Sequence, residues 1–296
     1  MLTKDQKIEY DYDELEALVK KNYEQPDLAL LRRAYEYAEI AHAGRVRQTG
    51  HEYITHPVAT TYKLAEMKLP MSVLSAGLLH DVVEDTGVTI EQVEKEFGDE
   101  IAKLVSAVTK LKKVKYPGDD LYAENLRRMF LAMSDDVRVV FIKFADRLHN
   151  LKSLYARPRE KQLRVAREVL EIYAPIANRL GMGEMRGELE DAAFMYAHPK
   201  EFQIVSTLLE RKVREKENIV KQTIETTTRD LQEAEVEIIM IQGRIKRLYS
   251  LYRKLERYEN DINKIYDLIA VRIIVKDVSD CYAVLGILHA HWPPLK

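Results

Sequence analysis

Cysteine is nearly absent: the 296 residues contain one, Cys281. A single thiol makes neither an intrachain disulfide nor a zinc–thiolate set, and it is the usage expected of a reducing compartment. Long apolar runs are also lacking. No stretch approaches the ~20 residues a membrane-spanning helix needs. The opening residues, MLTKDQKIEYDYDELEALV, are mixed and acidic and do not read as a signal peptide. A cytoplasmic protein with no membrane partner is expected. Charge of one sign is missing too: 46 Lys+Arg face 48 Asp+Glu, a formal net charge of −2. Nothing global points to nucleic acid, which leaves only a local basic patch as a means of holding phosphate.

Apolar residues make up 46% of the chain and charged residues 32%, the balance of a folded globular protein. The length suits about two domains. Glycine is scarce, and through the first 230 or so residues apolar positions recur at helical spacing, as in LALLRRAYEYAEIAH (28–42) and REKQLRVAREVLEIYAPIANRL (159–180). Asp119-Asp120 stands where a helix cap belongs, and Pro117 falls near that helix start. The texture then changes. VEIIMIQGR (236–244) and DLIAVRIIV (267–275) are β-branched and predict buried strands, with a helix between them and another over 280–292. The expected fold is mainly α: an all-helical region followed by the opening of an α/β unit.

The segment LLHDVVEDT (78–86) places His80, Asp81, Glu84 and Asp85 on an otherwise apolar stretch. On a continuous helix His80 aligns with Glu84 and Asp81 with Asp85. Burying that many acids without a cation costs several kcal/mol, and a bound metal removes the difficulty. Further ligands are on offer at His51 and His56 in GHEYITHP, and at Asp146, His149, Asn150 and Ser153, one helical stripe of FADRLHNLKSL. A His, a His-Asp pair and a later Asp suit Mn²⁺, Fe²⁺ or Zn²⁺ with positions left for water and substrate. Taken singly, these residues have blander readings. His42 and His51 suit surface or capping positions, His149 suits packing beside the ligands, and Asp146 suits an ion pair with Arg147 or Lys143.

HAGRVRQTGHEYITHP, GLLHDVVEDT and IKFADRLHNLKSL, in this order, resemble the HD-domain hydrolase of the RelA/SpoT homologue family, the (p)ppGpp synthetase/hydrolases of the stringent response. The resemblance implies an HD-type hydrolase with a helical-bundle extension over 1–195, a helical linker over 196–235 and the start of an α/β nucleotidyltransferase-like synthetase domain over 236–296. It implies a metal, usually Mn²⁺, held by His56, His80, Asp81 and Asp146, with Glu84 and Asp85 handling the attacking water and its proton. The family's Arg-Lys-Ser run corresponds to Arg47, Gln48 and Thr49, so Gln48 replaces a cation. Asn150 and Ser153 match nucleotide-contacting positions. Lys143 and Lys115 are candidates for phosphate contact or ordinary surface lysines.

GRIKRLYSLYRKL (243–255) carries the local basic patch. It is either a solvated helix face or a phosphate grip. By the same resemblance Arg244, Lys246, Ser250 and Lys254 match the synthetase's ATP-binding motif, and Asp267 its Mg²⁺-binding acid. The sequence ends at HWPPLK, where the family continues into a guanine site and a catalytic Glu and later into domains through which long members sense the ribosome. The expectation is therefore 3′-pyrophosphohydrolysis of (p)ppGpp with a synthetase region truncated and inactive. The alternatives are another HD-type nucleotide phosphohydrolase, which Gln48 favours; a synthetase, which the missing Glu disfavours; and a nucleotide sensor, which would need a broken metal or acid pair.

Overall fold

The structure, a computed structural model, describes residues 10–112 and 120–292. Lys115, Pro117, Asp119 and the final Pro-Pro-Leu-Lys lie outside the described residues. The chain divides into two compact units, one ending at Ala197 and one beginning at His198.

Twelve α-helices build the first unit among the described residues. They are α1 (Tyr12–Asn22), α2 (Leu28–Ala41), α3 (Thr55–Glu66), α4 (Met71–Leu79), α5 (Val82–Asp85), α6 (Ile90–Phe97), α7 (Asp99–Lys112), α8 (Asp120–Asp135), α9 (Arg138–Lys152), α10 (Arg159–Glu168), α11 (Ala174–Arg179) and α12 (Gly183–Ala197). Local chemistry sets several ends. Asp11 and Glu14 form a capping box at α1, and Thr89 and Gln92 another at α6. Each satisfies two backbone N–H groups that a helix start leaves open. Gly98, at φ 85°, stops α6 in a conformation only glycine adopts cheaply.

Two apolar clusters hold this unit together. Leu15, Leu31, Leu64, Leu74, Leu78, Val105 and Ile142 belong to the first. Phe144, Leu148, Ile172, Leu189 and Tyr196 belong to the second. Helix α9 contributes to both, so its polar stripe is fixed between two packed layers. Helices α3 and α4 approach closely at Gly77, where a Cβ would stand 2.7 Å from Leu64 Cδ1 and 2.8 Å from Thr61 Oγ1. That approach lets the start of α3 and the end of α4 meet the same stripe of α9.

The second unit contains α13 (Pro199–Glu233), β1 (Ile238–Ile245), α14 (Leu248–Arg257), β2 (Ile269–Val275) and α15 (Val278–His291). The segment expected as a linker is thus one long helix for most of its length, and it packs on both strands, α14 and α15. The strands pair antiparallel, with Ile241 opposite Ile273 and Gly243 opposite Val271. The expectation of buried strands needs correction. Ile239 and Ile245 are 63% and 50% exposed, because α13 covers the sheet near Gly243 while much of the rest of β1 is open.

Candidate metal and nucleotide site

Three elements bring the first constellation together. His56 sits in the first turn of α3, His80 caps the C-terminus of α4, and Asp146 lies in the middle of α9. All three are buried, and each offers a ligand atom within 4.8 Å of the others, the one such group among the described residues. Nε2 of His56 lies 3.3 Å from Asp146 Oδ1 and 3.4 Å from Asp81 Oδ2. Nε2 of His80 lies 3.2 Å from Asp81 Oδ1 and 3.9 Å from Asp146 Oδ1. The four residues expected as ligands therefore converge, although they come from segments up to 90 positions apart.

The helix expected to run unbroken through LLHDVVEDT does not. It stops at Leu79, turns at His80 and Asp81, and resumes as the short α5. The turn leaves Asp81 buried and Glu84 exposed, with Asp85 between the two in exposure. The pairs His80–Glu84 and Asp81–Asp85 are consequently not one uniform helical stripe. Asp85 keeps its backbone hydrogen bond to Asp81, at 2.9 Å, and so stays close to the cluster.

Whether these groups suit a divalent ion is answered by His80. Its Nδ1 lies 2.7 Å from the carbonyl of Gly77. A carbonyl only accepts, so Nδ1 carries a hydrogen, and in the neutral ring Nε2 carries the lone pair. That lone pair is buried, makes no hydrogen bond and faces two carboxylates. An orphaned imidazole nitrogen among buried acids is costly as it stands and is the arrangement a metal satisfies, with the other ring nitrogen held by a carbonyl. The donor set of two imidazoles and two carboxylates fits a divalent transition metal.

The rest of the α9 stripe supports the cluster. Lys143 is neither a surface lysine nor a group at the pocket lining. It is buried, and its Nζ donates to Asp146 Oδ2 at 2.6 Å. Asn150 Nδ2 donates to Asp146 Oδ1 at 2.5 Å. His149 Nδ1 lies 2.7 Å from His56 Nδ1, beside a candidate ligand. His51 is exposed beside Thr49 Oγ1, whereas His42 is 3% exposed. Of the surface or capping role expected for His42, the capping half holds, since it is the C-cap of α2, and the surface half fails, because the ring is buried and stacks on Tyr53, 4.5 Å between centroids. Burial pushes its pKa down to about 4.

Tyr53 is a site residue that sequence reasoning missed. Its hydroxyl lies 2.9 Å from Asp81 Oδ2 and 2.5 Å from Asp85 Oδ2, linking a candidate ligand to a candidate acid–base group. Burial, reinforced by the Asp81 charge, pushes the phenol pKa up, so Tyr53 remains a donor. The only signal in the sequence is an aromatic residue with a polar tip three positions before His56.

A cavity of about 330 Å³ opens beside the cluster. His56, Asp81 and Tyr53 line it together with Arg47, Gln48, Thr49, Asn150 and Ser153, which are the expected nucleotide contacts. Arg157 and Lys161 add two cations that the sequence did not single out, and Arg147, offered only as an ion-pair partner of Asp146, lines the cavity too with its Nη2 3.1 Å from Glu168 Oε1. The Lys161 ammonium is pushed down in pKa by burial and by the neighbouring charges of Arg157 and Arg164. A wall of this charge attracts an anion.

In the second unit, Lys246 and Lys254 donate to Asp267 Oδ2 at 2.8 and 2.7 Å. Hydrogen bonds from Lys246 and then Lys254 pull the Asp267 pKa down to about 2. Arg244 is exposed on β1, and Ser250 is half-buried on α14. The acid expected to hold Mg²⁺ is here the anchor of two lysines.

Comparisons with known proteins find relatives along both parts of the chain. A family model described as an HD domain matches residues 34–183, and one described as a region found in RelA / SpoT proteins matches residues 243–296. The chain is 42% identical over 287 residues to the guanosine-3′,5′-bis(diphosphate) 3′-pyrophosphohydrolase of Spiroplasma citri, covering 96% of this chain and 38% of that protein. It is 44% identical over 268 residues to a GTP pyrophosphokinase of Streptomyces coelicolor, covering 90% and 31%. It is 39% identical over 286 residues to the bifunctional (p)ppGpp synthase/hydrolase SpoT of Escherichia coli, covering 96% and 41%. The chain spans about a third to two fifths of the length of these relatives. No helix among the described residues is long and apolar enough to cross a membrane.

Proposed function

The chain belongs to the RelA/SpoT family, and from that premise we propose that its first unit is a metal-dependent hydrolase that removes the 3′-diphosphate of (p)ppGpp. Water and ppGpp yield GDP and pyrophosphate; pppGpp yields GTP and pyrophosphate. The observation that carries this reading is the orphaned, buried Nε2 of His80 facing Asp81 and Asp146, beside a cavity lined with cations.

His56, His80, Asp81 and Asp146 would hold the ion, which we take to be Mn²⁺. When bound, a divalent ion lowers the pKa of water and offsets phosphate charge. The remaining work belongs to side chains. Arg157, Lys161 and Arg147 face the diphosphate charge, and Asn150, Ser153, Gln48 and Thr49 orient the nucleoside end. Asp85, tethered by Tyr53, takes the proton of the attacking water, and Glu84 at the more exposed position passes it to solvent. Positioning of this kind supplies much of the rate in phosphoryl-group chemistry.

Residues 196–235 would connect this unit to the start of a synthetase domain at 236–296, in which Arg244, Lys246, Ser250 and Lys254 face ATP. Asp267 would take Mg²⁺ there once its lysines turn to phosphate. Any contact with the ribosome would fall to domains beyond those seen here.

Metal dependence tests the hydrolase reading. Chelator-stripped protein should leave ppGpp intact, and added Mn²⁺ should restore turnover. Full activity in the stripped sample would refute it.

A further inference from the structure

The nucleotide pocket and the metal cluster share one residue whose hydrogen bonds decide where protons sit. We infer that Arg47 is a positioning residue of the metal site, fixing the proton on one ligand and the orientation of another. This rests on the metal-site part of the reading above and adds a role beyond nucleotide contact.

A guanidinium has five N–H donors and no acceptor. Any atom it faces at hydrogen-bond distance must offer a lone pair. Nη1 of Arg47 lies 3.1 Å from Nδ1 of His149, so that nitrogen carries no hydrogen. Nδ1 of His56 lies 2.7 Å from the same nitrogen. With none on the His149 side, the hydrogen in this contact is on His56. The two donors share one acceptor, a three-centre arrangement. A neutral His56 then has its lone pair on Nε2, the nitrogen that faces Asp146 and Asp81. The opposite assignment, with hydrogen on Nδ1 of His149, would make Nε2 of His56 an N–H and remove it as a ligand.

The second branch follows by the same reasoning. Nη2 of Arg47 lies 3.2 Å from the Asn150 side-chain oxygen and 3.1 Å from Ser153 Oγ. The amide atom facing a donor must be the oxygen, which turns the NH₂ group toward Asp146 Oδ1 at 2.5 Å. One guanidinium thus orients His56 through His149 and Asp146 through Asn150. Its own place is set by the short loop before α3, where Arg47 N–H donates to the His51 carbonyl at 2.8 Å and Val46 bridges Glu52.

Calorimetric titration of nucleotide-free protein with Mn²⁺ tests this directly, alongside ¹⁵N-histidine NMR of the metal-free protein. Arg47→Met should weaken Mn²⁺ about tenfold or more, the range seen when an outer partner of a ligand is lost. Met offers no N–H donor, so nothing keeps Nδ1 of His149 bare, and the His56 hydrogen is no longer confined to Nδ1 in the spectrum. Arg47→Lys, which keeps a pure donor, should recover most of the affinity. In a His149→Ala/Asn150→Ala background, Arg47→Met should cause no further loss. Wild-type Mn²⁺ affinity and an unchanged His56 spectrum in Arg47→Met would overturn the inference, as would equal losses in both backgrounds. Absence of Mn²⁺ binding by the wild-type chain would overturn it together with the metal site. Because every titration is run without nucleotide, a chain that shows the expected pattern yet leaves ppGpp intact supports the inference and contradicts the hydrolase reading.

Discussion

Tyr53 places its hydroxyl 2.5 Å from Oδ2 of Asp85. The same oxygen lies 2.9 Å from Asp81, and a phenol has one hydrogen to give. The two carboxylates therefore compete for it. A cation at Asp81 weakens that residue as an acceptor and leaves the hydrogen to Asp85. Tyr53→Phe keeps the stack on His42 and removes the tether. The expected result is a kcat about 10- to 100-fold lower, the scale of a small misplacement at a reacting centre, with little change in KM for ppGpp. A lower affinity with unchanged kcat would make Tyr53 a pocket wall only.

The two acids should separate in mutant kinetics. Asp85→Asn should retain Mn²⁺ and nucleotide binding while turning over at least ~10²-fold more slowly, the usual cost of losing a general acid–base group. Glu84→Gln should show the same retention and a smaller loss, because Glu84 is exposed and Asp85 is held beside the cluster. Steady-state rates with calorimetric metal titrations check both. Equal wild-type rates in the two variants would move proton transfer to another residue.

Gly77→Ala tests the approach of α3 to α4. In an open helix this change gains ~1 kcal/mol from propensity. Here the new methyl would stand 2.7 Å from Leu64 Cδ1 and 2.8 Å from Thr61 Oγ1. Both partners are fully buried in the packed layer. Overpacking of this sort costs about 1–3 kcal/mol, so the net expectation is a lower melting temperature and weaker Mn²⁺ binding as His56 and His80 are pushed apart. A melting temperature equal to or above the wild type would show that the helices separate without strain.

His42 predicts a pH dependence. Its folded pKa is held down to about 4 by burial, against about 6.5 in an unfolded chain. The unfolded state therefore takes up a proton first as pH falls. Stability from this group is complete above pH 6.5 and declines as pH drops toward 4, by on the order of 1–3 kcal/mol. His42→Phe, which preserves the ring stack, should flatten that part of the profile in denaturant titrations between pH 7 and 4. An unchanged slope would assign the dependence to other groups.

Much of the site was legible in the sequence because it is written in short segments with fixed local geometry. The stripe Asp146, His149, Asn150 needs only helical spacing to be read, and His80-Asp81 stands out as a polar pair in an apolar run, whereas their assignment with His56 as one ligand set came from the family resemblance. What could not be read depends on contacts between distant segments. Arg47 meets His149 across 102 positions, and Tyr53 reaches Asp81 from a loop whose path no periodicity encodes. The break at His80 was hidden for a different reason. An apolar run with helical spacing gives no sign that the chain turns there, since the turn serves burial of Asp81 and not local propensity. The strands were recognised by their β-branched residues, but their exposure depends on how much of the sheet α13 covers.

Separation of the products formed from ppGpp by Mn²⁺-loaded protein tests the hydrolase most directly. GDP and pyrophosphate in equal amounts are expected, with both products lost in His80→Ala, whose metal cluster lacks the orphaned nitrogen. Release of inorganic phosphate, or intact ppGpp after prolonged incubation with protein shown to hold Mn²⁺, would contradict it.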